Sequence, residues 1–172
     1  MAHLKLRIVP DPVLRQKAKR VRSIDGSIKH LIDDMVETMY RESGVGLAAN
    51  QVGVLQRVAV IQLPDDEEPI VLINPSVVRI TGQRELEEGC LSIPGYRGLL
   101  YRSEIVRVKA IDRYGKPMRI KADGLLAQAL EHEIDHLNGI LYIDHIASHE
   151  KLYKIELDSE EEHEASVEAS VV

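Results

Sequence analysis

The chain reads as an α+β protein with antiparallel strands. Two observations carry this. Strand-like segments crowd the middle of the chain, Arg57 to Ala122, and do not alternate regularly with helices as a parallel doubly wound sheet requires. Helical periodicity flanks that block, over Ile28–Met39 and again after Asp123.

The elements follow in order. Pro10-Asp11-Pro12 opens a first helix, expected from Asp11 to about Lys19, with Asp11 as N-cap and Pro12 at the first helical position. Ile28, Leu31, Ile32, Met35, Val36 and Met39 recur at helical spacing, while Lys29, His30, Asp33, Asp34 and Glu37 fall on other faces. A helix is predicted from about Ser27 to Arg41, stopping at Gly44, with His30 on the solvated surface. Arg57–Leu63 is rich in β-branched residues and predicts a strand. Ile70–Asn74 and Ser76–Thr81 predict two more, broken by Pro75. Arg84–Leu91, Ile105–Asp112 and Met118–Ala122 complete the block, with a hairpin turn at Arg113–Lys116. Asp123 caps a helix through Leu137, and Asn138-Gly139 stops it. A last helix is expected from about Ser148 to Leu157. From Asp158 the sequence DSEEEHEASVEASVV is acidic, and a flexible tail is expected. The organisation is one domain over residues 1–157 and a tail over 158–172.

Composition narrows the function classes. The chain has 172 residues, 44% hydrophobic and 29% charged, enough for one domain with a real core. With no Trp and no Phe, that core falls to Leu, Ile, Val and Tyr. Net charge is −6, and no basic block stands out, so binding to DNA through bulk charge is not expected. No apolar run approaches the ~20 residues that span a bilayer. The start lacks the apolar stretch of a signal peptide, so a bacterial cytoplasmic location is expected. A monomer is also expected. The single cysteine, Cys90, leaves no intramolecular disulfide and suits a reducing compartment.

Residues 132–136, His-Glu-Ile-Asp-His, carry the chemistry. On a helix, positions i and i+4 lie on one face, so two imidazoles can close on one ion. Glu133 sits about 100° further round, within reach of a water bound to that ion. Two ligands with a base beside them point to metal-assisted hydrolysis. A catalytic metal needs a third protein ligand. The metzincin pattern puts a histidine where Tyr142 stands, and His145 comes three residues late. Glu150 and Glu156 offer a carboxylate. Cys90, in Glu87-Glu88-Gly89-Cys90-Leu91-Ser92, offers a thiolate and is favoured, because a thiolate binds such ions strongly. A third segment, Gly44 to Gly53, contains Gly44, Gly46 and Ala49 in a spacing that mimics a dinucleotide loop. A helix precedes it instead of a strand, which counts against that reading. A loop approaching a ligand, with the Gln51 amide pointing in, fits better.

Together these segments resemble a bacterial-type peptide deformylase. The motifs are GVGLAANQ (44–51), EGCLS (88–92) and HEIDH (132–136), with PDPVLR near the start. The resemblance runs from about residue 4 to residue 155. It implies antiparallel sheets wrapped around the HExxH helix, and removal of the formyl group from N-formylmethionyl nascent peptides with release of formate. It implies one metal ion on Cys90, His132 and His136, Fe²⁺ natively, with Zn²⁺, Ni²⁺ or Co²⁺ able to occupy the site. Glu133 is implied as acid and base, and Gln51 with the Leu91 N–H as the oxyanion hole. Gly46 belongs to the same catalytic set. Val45, Leu86, Glu88, Gly89, Arg97, Leu125 and Ala129 are implied in substrate binding, and Gln128 is expected at the pocket rim. Asp135 is expected to support the site from Arg102. Some relatives dock on the ribosome with a basic C-terminal helix. Here the acidic tail is repelled by RNA phosphates, so any transient ribosome contact is expected elsewhere.

Overall fold

The computed structural model describes residues 2–155. The acidic tail 158–172 lies outside the described residues. Among the described residues, eight strands form two antiparallel sheets. Strands β1 (Gly46–Ala48), β2 (Val58–Ile61), β3 (Ile70–Thr81), β6 (Ile105–Ile111) and β7 (Pro117–Ala122) make one, in the order β1-β2-β3-β6-β7. Strands β4 (Arg84–Cys90), β5 (Ile93–Arg102) and β8 (Leu152–Lys154) make the other, in the order β4-β5-β8.

Strand alternation decides what each face of the larger sheet covers. Val58, Val60, Val71 and Ile73 point to helix α1 (Gly26–Arg41), meeting Ile28, Ile32, Met35 and Met39. Ala59, Ile61 and Leu72 point the other way, to Ala127, Ala129, Leu130 and Ile134 of helix α2 (Gly124–Leu137). The other face of α2 turns to Cys90 at the end of β4, so α2 runs between the two sheets, as expected for the helix carrying the metal motif.

Helix α1 starts where the pattern predicts. Asp25 caps it, its carboxylate accepting the Ile28 N–H at 3.1 Å. His30 is exposed, as expected.

Three expectations need correction, and one strand, β5, had none. The helix expected from Asp11 to Lys19 is a single 3-10 turn, Pro12–Arg15. Beyond it the backbone is claimed by other elements: the Ala18 N–H donates to Leu137 O at 2.8 Å and the Lys19 N–H to Leu55 O at 3.0 Å. Pro75 does not break its strand. A register shift between Ile73 and Ser76 absorbs it, with Asn74 at φ 51°. The Asn74 side chain ties that bulge to both backbone groups of Val21. Strand β5 is disguised in the sequence by Pro94, Gly95 and Gly98. The helix expected from Ser148 is a 3-10 turn, His149–Lys151, followed by β8, because an open edge of β5 takes this segment as a third strand.

Candidate metal centre

Helix α2 is buried along the stripe that carries His132 and His136, each 1% exposed. Their ring centroids are 4.8 Å apart. Strand β4 ends in a register shift between Glu88 and Cys90, and the shift delivers the Cys90 thiol to the histidines. Cys90 Sγ lies 3.3 Å from His136 Nε2, which lies 3.1 Å from His132 Nε2. These three residues are the metal-competent group among the described residues, their ligand atoms within 4.8 Å of one another. A tetrahedral ion with bonds of 2.0–2.3 Å needs ligand atoms roughly 3.3–3.6 Å apart. The separations are close to that, and a nitrogen–nitrogen–sulfur donor set suits one borderline-soft divalent ion. Of the competing ligands, Glu150 is exposed in the 3-10 turn His149–Lys151, and Glu156 lies outside the described residues.

Behind His132 sits a fully engaged acid. Glu88 Oε2 lies 2.8 Å from His132 Nδ1, which leaves Nε2 for an ion. Arg102 donates to both Glu88 oxygens, Nε at 3.1 Å and Nη2 at 2.7 Å. It also donates from Nη1 to Asp135 at 2.7 Å, and His145 Nε2 lies 2.8 Å from the same Asp135 oxygen. The expected Arg102–Asp135 support is therefore present. Burial works against an ionised Glu88, but His132 and Arg102 outweigh it and hold its carboxyl down at about 2. Glu88, expected among the substrate-binding residues, has no exposed surface and belongs to this network instead. Burial favours the neutral form of His136, the form that can bind a metal.

Glu133 is the opposite case. It has no exposed surface and neither carboxylate oxygen has a hydrogen-bond partner. Burial pushes its carboxyl up to about 7. Gly46 explains how the carboxylate fits: a Cβ at that position would stand 2.5 Å from Glu133 Oε1. The segment expected as a loop is strand β1 followed by a 3-10 turn, Ala49–Val52, which fixes Gln51. Gln51 Oε1 accepts the Ala48 N–H at 2.9 Å. Its Nε2 then donates to Ser92 Oγ at 3.2 Å and faces Cys90 Sγ at 3.6 Å. Ser92 escaped the sequence reading, and only its neighbour Cys90 could have drawn notice to it. Tyr142 was considered only as a missing histidine. Its ring stacks 6.4 Å from that of His132.

The substrate-binding expectations divide. A cleft of about 220 Å³ opens beside Cys90 and includes Gly89, Leu91 and Arg97 in its walls. Arg97 lies 2.7 Å from Glu87. Val45 is buried, and Leu86 and Leu125 are partly buried. Ala129, expected in the same groove, is wholly enclosed against the larger sheet and presents no surface. Gln128, expected at the rim, is buried and donates to Glu88 Oε1 at 3.2 Å and Glu87 O at 3.3 Å.

A buried carboxyl left bare beside three converging metal-competent side chains is the arrangement expected of an HExxH metal-dependent hydrolase. Comparison with known proteins resolves the class further. The family model described as polypeptide deformylase matches residues 3–152. The chain belongs to that family and is an enzyme, removing the N-terminal formyl group from nascent peptides. It is 59% identical over 152 residues to the peptide deformylase of Dehalococcoides mccartyi, covering 88% of this chain and 91% of that one. The peptide deformylase of Halothermothrix orenii is 51% identical over 146 residues, covering 85% and 95%. Among solved structures, a peptide deformylase from Legionella pneumophila superposes with a TM-score of 0.84 at 50% identity, covering 87% and 89% of the two chains. One from Synechococcus elongatus, in complex with actinonin, gives 0.84 at 45% identity, covering 88% and 82%.

Proposed function

We propose that this deformylase acts on N-formylmethionyl peptides and releases formate, with Cys90, His132 and His136 holding one divalent ion. The observation that carries the reading is the unpartnered Glu133 carboxylate beside three converging ligand atoms. Fe²⁺ is the native ion in this reading, and Zn²⁺, Ni²⁺ or Co²⁺ can replace it. When bound, such an ion polarises a carbonyl and acidifies water.

The protein's own groups do the rest. Glu133 takes a proton from the attacking water and returns one to the departing amine, a task open to a carboxyl that no hydrogen bond ties down. The Ala48 N–H holds Gln51 Oε1, so Nε2 needs only to exchange its 3.6 Å contact with Cys90 Sγ to donate to the oxyanion that develops at the formyl carbon. The Leu91 N–H is the second donor of that hole. Gly46 keeps room for the Glu133 carboxylate. Val45, Leu86 and Leu125 form the apolar wall for the methionine side chain, and Gly89 and Arg97 meet the peptide beyond it. The enzyme works as a monomer in the bacterial cytoplasm. No described helix is long and apolar enough to cross a membrane.

The test is formate release from an N-formyl-Met peptide, under anaerobic conditions, by Fe²⁺-loaded wild type and by Cys90→Ala. Wild type turns over, and the variant loses both its ion and its activity. Undiminished release by Cys90→Ala would show that another residue completes the site.

A further inference from the structure

The expectation that no basic block stands out fails at Arg15–Arg22. This run, RQKAKRVR, holds five of the 22 Lys and Arg residues in eight positions, with no acid among them. A net charge of −6 conceals it. Ala18 and Val21 are buried and anchor the run, while Arg15, Lys17, Lys19, Arg20 and Arg22 are exposed. Its backbone is pinned on both sides: Ala18 to Leu137, Lys19 to Leu55 and Arg57, and Val21 to Asn74. Among the described residues, only Arg15 of the five cations has an ion-pair partner, Asp144. Four exposed cations within six positions, with no ion-pair partner among the described residues, leave a local positive field that an anionic partner can fill.

The surroundings suit a polyanion. An open depression of about 650 Å³ is walled by Lys19, Arg20, Arg22, Ser23 and Gln56, with Asp25 as its one acid. The Asp25 carboxylate is occupied in capping α1, accepting from the Ile28 N–H and the Ser27 hydroxyl. The β6–β7 turn comes up against Ile24, two residues past the run, since a Cβ on Gly115 would stand 3.8 Å from Ile24 Cδ1. That turn presents Tyr114, 80% exposed, beside an exposed Lys116. Arg113 lies 6.0 Å from the Tyr114 ring and pairs with Asp33. An exposed aromatic ring beside cations offers a face on which an unpaired base can stack.

We propose that the Arg15–Arg22 strip, with the Tyr114 turn, docks the enzyme on ribosomal RNA. The inference rests on the deformylase reading for its partner, because nascent peptides are met at the ribosome. Phosphate contacts release counterions, so the signature is salt dependence. With Lys17, Lys19, Arg20 and Arg22 each neutralising a phosphate, the log–log slope of affinity against salt is about −3 to −4. That is roughly a hundredfold loss between about 50 and 200 mM salt.

The experiment measures binding of the full chain to vacant bacterial ribosomes across that range. The comparison is a quadruple variant, Lys17→Ala, Lys19→Ala, Arg20→Ala and Arg22→Ala. The expected result is a steep slope for wild type, at least about tenfold weaker binding and a nearly flat slope for the variant, and unchanged formate release from free formyl-Met peptide. A variant that binds like wild type overturns the proposal. So does wild-type binding insensitive to salt, which points to a protein contact, or no binding at the lowest salt. Should the quadruple variant fail to fold, Lys17→Glu and Arg20→Glu taken singly must each flatten the slope by about one. The charge-keeping pair Arg20→Lys and Arg22→Lys must bind as wild type does. If wild type binds ribosomes but releases no formate from free peptide, the deformylase reading fails and the docking surface stands.

Discussion

Two glutamates with no exposed surface stand beside His132, and the protein treats them oppositely. Glu88 has His132, Arg102 and Gln128 within hydrogen-bond reach and is held ionised, its carboxyl at about 2. Glu133 has no partner, and burial pushes its carboxyl up to about 7. Burial alone thus does not decide how a carboxyl behaves. What decides is whether the fold supplies donors when it removes water. The satisfied acid fixes the orientation of the His132 ring. The unsatisfied acid is free to exchange a proton.

The comparison breaks most visibly at Glu133. Replacing it with Gln removes the titrating group and keeps the shape, so kcat falls by about 10²–10⁴ while metal content stays that of wild type. Metal analysis beside single-turnover kinetics checks both halves, and a parallel loss of metal would place Glu133 with Glu88 as a structural acid. The next largest effect lies in Arg102. Arg102→Met strands Glu88 and Asp135 without their cation, and urea unfolding is expected to show a loss of about 3–5 kcal/mol. Adding Glu88→Gln to that variant restores part of the loss. A double variant as unstable as the sum of the singles would mean that the two residues do not act as a pair.

The raised carboxyl of Glu133 also has a stability consequence in chelator-stripped protein. Unfolded, this group ionises near 4.5, and folded it does so at about 7. Between those values the unfolded chain gives up its proton first. The contribution is therefore fully present below pH 4.5 and is lost as pH rises through 7, by about 3 kcal/mol in all. The stability difference between wild type and Glu133→Gln, followed by urea denaturation from pH 4.5 to 8, should shift by that amount. A difference that stays level across the range would show that the carboxyl is not raised.

Much of this contrast was legible in the sequence, but only its first half. The spacing of His132 and His136 defines one helix face without tertiary information, and Glu133 follows from it. Cys90 could be argued because the site lacked a ligand. Arg102 and Glu88 are different, since their pairing depends on β4 and β5 lying antiparallel, Glu88 opposite Gly98 and Arg84 opposite Arg102. Strand β5 itself was hidden by Pro94, Gly95 and Gly98. A network built across an undetected strand has no local signal, so Glu88 was placed with the substrate. The same holds for β8, where a free sheet edge overrode a helical pattern.

The smallest effect is the most diagnostic of the division between the two acids. Glu88→Gln keeps the volume of the side chain and loses its charge. Its oxygen can still accept from His132 Nδ1, so the ring stays oriented, but a neutral acceptor makes the imidazole a poorer donor to an ion. Metal affinity is therefore expected to fall by about 10–100-fold, while the fully loaded variant keeps a kcat within a few-fold of wild type. Competition with a chelator gives the first quantity, and turnover at saturating metal gives the second. The two glutamate variants then separate cleanly: one holds its ion and does not turn over, the other turns over once its ion is supplied. If saturating metal fails to restore Glu88→Gln, the buried charge acts on the reaction itself, and the line drawn between the satisfied and the unsatisfied acid is in the wrong place.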